Sequence, residues 1–372
     1  MLIAAPRLLT PDRVLEPGFV ETGGERVVAV GSGMPPRPPD VRLTGTVVPG
    51  FVDIHCHGGG GASFTDGSGD AARVAAAAHL AHGTTTVVAS LVTDTVDRLA
   101  GHLAALAPLV DEGVLAGLHL EGPWLSPRYA GAHDRGLLTA PRAADIERLV
   151  AAASGTLRMV TLAPELPGGI PAVARLAELG VTPAVGHTDA TYAQAREAVA
   201  AGARMATHLF NAMRPLHHRE PGPALALLED QRVHVELVAD GVHLHPAYVR
   251  NAAAATPGRF LLVTDAMAAA AAADGRYALG PMLVEVRDGR ATLVATGAIA
   301  GSTLTMAGGL RYAVQVAGVP LAEAVAAATA RPAAALGLAG VGHLEPGALA
   351  DLVVLDDDLA VTRVLRRGAF AA

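Results

Sequence analysis

Lysine is absent from all 372 residues, so each of the 28 positively charged side chains is an arginine. This excludes Schiff-base catalysis, a phosphate loop built on lysine, and a carbamylated lysine bridging two metals. Cys56 is the sole cysteine, which rules out an intrachain disulfide and a thiolate zinc finger. Any metal must then be held by His, Asp and Glu. The chain also lacks a basic field: its formal charge is −7 and its pI about 6.1, so nucleic acid is not an expected partner. No apolar run is long enough to span a bilayer, and the opening MLIAAPRLLTPDRV has no basic head followed by an apolar core. A cytoplasmic enzyme with no membrane partner is the expectation.

What the chain has is apolar material, 51% of its residues, in a regular rhythm. Eight short apolar runs recur at residues 50–58, 83–92, 115–124, 158–165, 181–188, 203–211, 234–242 and 259–267, each followed by an Ala-rich stretch of helical length. Such runs are what a parallel sheet buried on both faces produces, and eight βα units predict an α/β fold closed as a (β/α)8 TIM-type barrel. A doubly wound open sheet is the alternative topology. The barrel is favoured because polar residues gather where the runs end: His55, His57, Glu121, Glu165, His187, His208, Asp240 and Asp265. In a barrel those ends meet at one mouth. Asp residues are expected to cap the intervening helices. Residues 1–48 and 345–372 alternate polar and apolar instead, and neither piece can bury a core alone. The two termini are therefore expected to form one small β-sandwich domain, with the barrel over 49–344.

The run ends carry the chemistry. In VDIHCHG the strand period places His55 and His57 on one face and Cys56 on the other, so both imidazoles can approach one metal. Strand-end histidines bonded to backbone are the plainer reading. LHLEGPW aligns His119 with Glu121, and GHTDAT and THLFNAM bring His187 and His208. One carboxylate and two imidazoles suit zinc with a position left open for water. Asp265 in LLVTDAM is either an N-cap for the Ala-rich stretch after it or a base beside that water. Asn211, Arg214, His217, His218 and Arg219 form a polar loop, in which Arg219 is the natural partner of a phosphate or carboxylate. ADGVHLHP adds Asp240 and His243, with His245 expected to point away.

Ten motifs in order, PGFVDIHCHGGGG, HLEGPW, YAGAHD, GHTDAT, THLFNAM, REPG, ADGVHLHP, LVTDAM, AGSTLTMAGG and LEPGALADLVVLD, resemble the N-acetylglucosamine-6-phosphate deacetylases of the amidohydrolase superfamily. The resemblance covers almost the whole chain. It implies the same barrel and terminal β-sandwich, and hydrolysis of the acetamide of N-acetylglucosamine 6-phosphate. Glu121, His187 and His208 would be metal ligands, with His55 and His57 available for a second ion. The metal would be Zn2+, with Fe2+, Mn2+ or Co2+ as substitutes. Asp265 would be the catalytic acid/base, and His133 would polarise the carbonyl beside Ala132. The phosphorylated amino sugar would be held by Asn211, Ala212, Asp240, His243, Ile299, Ala300 and Gly301, and by Arg219 donated across a homodimer interface. The nearest rivals are an N-acetylgalactosamine-6-phosphate deacetylase and an N-acyl-amino-acid deacylase. A non-catalytic barrel is disfavoured because ligands and base are retained together. The loop AMAAAAAADGRYALG departs from the relatives, and no ligand is assigned there.

Overall fold

The computed structural model describes residues 1–371. All eight apolar runs are strands of one parallel sheet: β1 (Phe51–Cys56), β2 (Thr84–Val92), β3 (Gly117–Glu121), β4 (Leu157–Leu162), β5 (Thr182–Val185), β6 (Met205–Ala206), β7 (His234–Val238) and β8 (Phe260–Val263). Each pairs with its sequence neighbour. Val52, Ile54, Val88, Met159, Ala184, Met205, Val238, Leu261 and Val263 form one apolar cluster. Leu118, Leu120, Val160, Val185 and Leu237 pack in another, together with helical residues such as Leu99, Leu103 and Val173. Two buried faces explain why the runs are continuous rather than alternating.

Helices α1 (Gly69–Ala81), α2 (Val96–Asp111), α3 (Ala143–Ala152), α4 (Gly169–Glu178), α5 (Tyr192–Ala201), α6 (Gly222–Glu229) and α7 (Pro246–Ala255) follow the first seven strands. Their caps correct the sequence expectation. Ser68 and Thr191, not Asp70 and Asp189, cap α1 and α5, and Thr191 forms a reciprocal capping box with Gln194. Asp189 is engaged elsewhere, between Arg128 and Arg214.

The eighth unit breaks the rhythm. The Ala-rich stretch after β8 is not a helix, because Gly60 and Gly61 donate their N–H groups to the carbonyls of Ala270 and Ala268 at 2.7 and 2.8 Å. Those tertiary bonds take acceptors a helix would use. A three-stranded antiparallel sheet (Gly275–Leu279, Met282–Arg287, Arg290–Leu293) follows before α8 (Met306–Arg311).

The barrel closes between β8 and β1 with little ladder. Asp265 N–H donates to His55 O at 2.9 Å and His57 N–H to Ala266 O at 2.7 Å. The buried Asp53 carboxylate does the rest, accepting from the Thr264 hydroxyl at 2.5 Å and from its N–H at 3.3 Å. Pairing of β1 with β2 runs Val87↔Asp53 and then Ala89↔Cys56, three residues against two. This bulge resets the alternation, so Asp53 and Cys56 share a side while His55 and His57 turn together into the mouth.

Residues from both ends of the chain build two further sheets. One runs Arg26–Ser32, Gly18–Gly23, Leu2–Ala5, Val41–Arg42. The other runs Ala369–Phe370, Val361–Arg366, Leu352–Leu355, Thr46–Pro49, Arg7–Leu9, Val14–Leu15. Ile3, Val20, Val47, Leu352, Val354 and Leu365 share one core between them. Among the described residues no helix is long and apolar enough to cross a membrane.

Candidate active site

The strand ends converge on a cavity of about 330 Å³ whose floor is polar and buried. Glu121, at the end of β3, sits at the centre. Its Oε1 lies 3.0 Å from Nε2 of both His187 and His208, which are 3.0 Å from each other. Its Oε2 lies 3.2 Å from His57 Nε2 and 3.3 Å from His133 Nε2. His55 Nε2 is 3.2 Å from His57 Nε2, and Asp265 Oδ1 is 3.3 Å from His57 and 3.6 Å from His55.

Hydrogen bonds on the far side of the rings decide which nitrogen faces inward. His57 Nδ1 donates to Ser90 O at 3.2 Å and His187 Nδ1 to Tyr129 O at 2.9 Å; a carbonyl only accepts, so in the neutral ring, the form that binds a metal, Nε2 carries the lone pair. His55 Nδ1 is held the same way by the Glu236 carboxylate at 2.9 Å. Edges of 3.0 to 3.3 Å between inward lone pairs and carboxylate oxygens match a four-coordinate ion, whose ligands at 2.0–2.1 Å stand about 3.3 Å apart. The donor set therefore fits a divalent metal. Two overlapping groups offer themselves, His55, His57, Glu121 and Asp265, and Glu121, His133 and His187.

Charge follows from burial and neighbours. Burial would raise the carboxyls of Glu121 and Asp265, but the surrounding imidazoles, His55 foremost, hold both below their ordinary values, so both are anionic at neutral pH. Burial pushes His133 down to about 4, against the pull of Glu121. Its Nδ1 accepts the Thr93 N–H at 3.3 Å, which leaves the neutral ring's proton on Nε2, facing Glu121. Burial also opposes charge on His243, but Asp240, 2.7 Å from its Nδ1, raises it overall.

The backbone here is strained. His187, His208, Phe210, Ala212 and Asp265 have φ of 47°, 28°, 77°, 48° and 49°. Such non-glycine conformations cost on the order of 1–3 kcal/mol each and persist where surroundings over-determine them. Gly131, at φ +56°, lies so close to His187 that a Cβ would meet its Cε1 at 2.9 Å.

Ala132, Asn211, Ala212, His243, Ile299 and Gly301 line the cavity wall. Ala300 is buried behind it. Asp240 reaches the cavity through His243 rather than lining it. Arg219 is not brought in: it is exposed on a turn, its guanidinium donating to His218 Nε2 at 2.8 Å. His245 caps α7, away from the cavity. Cys56 is buried on the helix side of β1, 3.2 Å from His79 Nε2, with its thiol raised well above its usual value by burial.

Sequence reasoning missed the backbone groups of Ser90, Thr93 and Tyr129 that orient the rings, and three side chains. Glu236, an inward acid within the apolar β7, orients His55 and accepts the His208 N–H at 3.1 Å; its isolation in HVELV was the available signal. Arg128 and Leu279 also line the wall, from a loop and from the inserted sheet, and no local pattern marks either.

A closed parallel barrel with convergent imidazoles and carboxylates at its C-terminal mouth defines a metal-dependent hydrolase of the barrel type. Residues 46–370 match the amidohydrolase family, and the chain belongs to it. It is 36% identical to the N-acetylgalactosamine-6-phosphate deacetylase of Escherichia coli O157:H7 over 379 residues, 100% of this chain and 99% of that protein. It is 32% identical to the N-acetylglucosamine-6-phosphate deacetylase of Bacillus subtilis (strain 168), covering 100% and 97%. Among solved structures it is similar to a mutant of the N-acetyl-D-glucosamine-6-phosphate deacetylase of Mycobacterium smegmatis in complex with N-acetyl-D-glucosamine-6-phosphate. That likeness has a TM-score of 0.98 and 50% identity, over 100% of this chain and 98% of that one.

Proposed function

We propose that this enzyme hydrolyses N-acetylglucosamine 6-phosphate to glucosamine 6-phosphate and acetate, in amino-sugar recycling. The observation that carries the reading is an anionic Asp265 held beside Glu121 and its ring of inward imidazole nitrogens, in a chain half identical to a deacetylase of this substrate.

Glu121, His187 and His208 would hold the metal, zinc by donor type, with His55 and His57 as ligands for a second ion; iron, manganese and cobalt are the substitutes. A bound divalent ion supplies Lewis acidity, polarising a carbonyl and lowering the pKa of water from 15.7 to about 7. The chain's own groups do the rest. Asp265 takes the proton of the attacking water and returns it to the amide nitrogen as the C–N bond breaks, because an amide anion leaves poorly. The His133 Nε2–H donates to the carbonyl oxygen as negative charge develops there, and a neutral ring with its proton on that nitrogen suits the task. Asn211, Ala212, His243, Ile299 and Gly301 surround the sugar. Arg219 would act from the other subunit of a homodimer, since within one chain it lies outside the cavity wall.

The test is acetate release from N-acetylglucosamine 6-phosphate, its 4-epimer and an N-acetyl amino acid, using apo-enzyme reloaded separately with each of the four metals. The glucosamine derivative should be turned over fastest. Silence on both sugar phosphates with every metal, or preference for the amino acid, overturns the reading.

A further inference from the structure

A phosphorylated sugar gains from a positive side chain on the wall of the cavity that takes it. Among the described residues, the one lining side chain with a permanent positive charge is Arg128. We propose that Arg128 is a specificity-determining residue that binds the anionic group of the substrate from within the same chain. This rests on the sugar-phosphate reading above.

Arg128 lies in the loop between β3 and His133, and its side chain keeps 72% of its exposure. It makes one hydrogen bond, from Nη1 to Asp189 Oδ2 at 3.1 Å. A guanidinium has five N–H donors in a planar fork, so most of the fork remains available for a tetrahedral oxyanion.

The mooring is specific. Asp189 Oδ1 is taken by Arg214 Nε at 2.9 Å, so one carboxylate is shared by two guanidinium groups. The turn carrying Asp189 is fixed by Glu165, which accepts the Thr188 hydroxyl at 2.5 Å and the Asp189 N–H at 2.6 Å. The same turn is laced to the opposite wall, with Thr188 N–H donating to Ala212 O and Arg214 N–H to Thr188 O, both at 3.0 Å. The carboxylate oxygens of Asp189 and Glu165 therefore all have donors, and of the two guanidinium groups on Asp189 only that of Arg128 lines the cavity. Arg128 lines the same cavity as Asn211 and Ala212, with the metal-binding cluster at its floor. A phosphorylated sugar would then enter amide first, with its phosphate at the Arg128 rim. An exposed ion network of purely structural value is the competing account, and such pairs contribute little to stability.

The experiment compares wild type, Arg128→Ala and Arg128→Lys as metal-loaded full-length protein, on N-acetylglucosamine 6-phosphate and unphosphorylated N-acetylglucosamine. For Arg128→Ala, KM for the phosphorylated sugar should rise roughly 10- to 150-fold, with kcat little changed. The neutral sugar should be unaffected, and Arg128→Lys should recover part of the loss. Calorimetric affinity for glucosamine 6-phosphate should fall by a similar factor, a readout independent of turnover. Unchanged KM and affinity in Arg128→Ala, or equal losses on both sugars, overturns the inference alone. A wild-type enzyme inactive on the sugar phosphate would instead defeat the functional reading and this inference with it.

Discussion

At the scale of single residues, chemistry at the mouth depends on which groups keep a charge. Burial favours the neutral carboxyl of Asp265, but His55 and His57 facing it hold it anionic. Asp265→Asn preserves shape and removes the capacity to take a proton. Its kcat should fall about 10²- to 10⁴-fold. Metal content, measured by elemental analysis, should stay close to wild type, since Glu121, His187 and His208 are untouched. Near-normal turnover would remove Asp265 from the acid/base role. His55, His57, Glu121, His187, His208 and Asp265 were legible because each lies at the end of an apolar run, whereas His133 was named only through the resemblance. Glu236 and Arg128 were not legible. Glu236 is defined by its contact with His55 across the barrel, 181 residues away in sequence, and Arg128 by a wall that several loops build together.

At the scale of elements, the sequence was right about strands and less so about their flanks. Helix α5 shows why: an aspartate, Asp189, was expected to cap it. Two arginines from other loops claim its carboxylate, so Thr191 caps instead, accepting from the Gln194 N–H while Gln194 returns a bond. Thr191→Ala should destabilise the fold by about 1 kcal/mol, read from urea unfolding midpoints at unchanged slope, and Thr191→Ser should be nearly neutral. An equal loss in both would point to packing rather than capping. The Ala-rich stretch after β8 illustrates the same limit. Its composition favours helix, yet two glycine N–H groups from the β1 loop take its carbonyls.

At the scale of the whole molecule, the exposed Arg219 sets the test of assembly. If each subunit lends Arg219 to the other, Arg219→Ala and Asp265→Asn subunits should complement. A mixed dimer has one site with its own Asp265 and a partner's intact arginine. Co-expressed in equal amounts, random pairing should restore roughly a quarter of the sites, at substrate levels where neither variant alone is active. No recovery from a verified mixed dimer would place Arg219 outside the partner's site.

By itself the sequence determined the eight-stranded α/β order, because a strand buried on both faces must be apolar throughout. It also determined the ligand chemistry, because a chain with no lysine and one cysteine has only imidazole and carboxylate to offer a metal. Tertiary structure decided what depends on partners distant in the chain. The bulge in β1 exists in the pairing of Asp53 and Cys56 with β2, and it sends Asp53 to the closing seam while both histidines turn inward. Ring orientation was decided by Ser90, Tyr129 and Glu236, none adjacent in sequence to the histidine it holds. Periodicity is local, and register and hydrogen-bond partners are not.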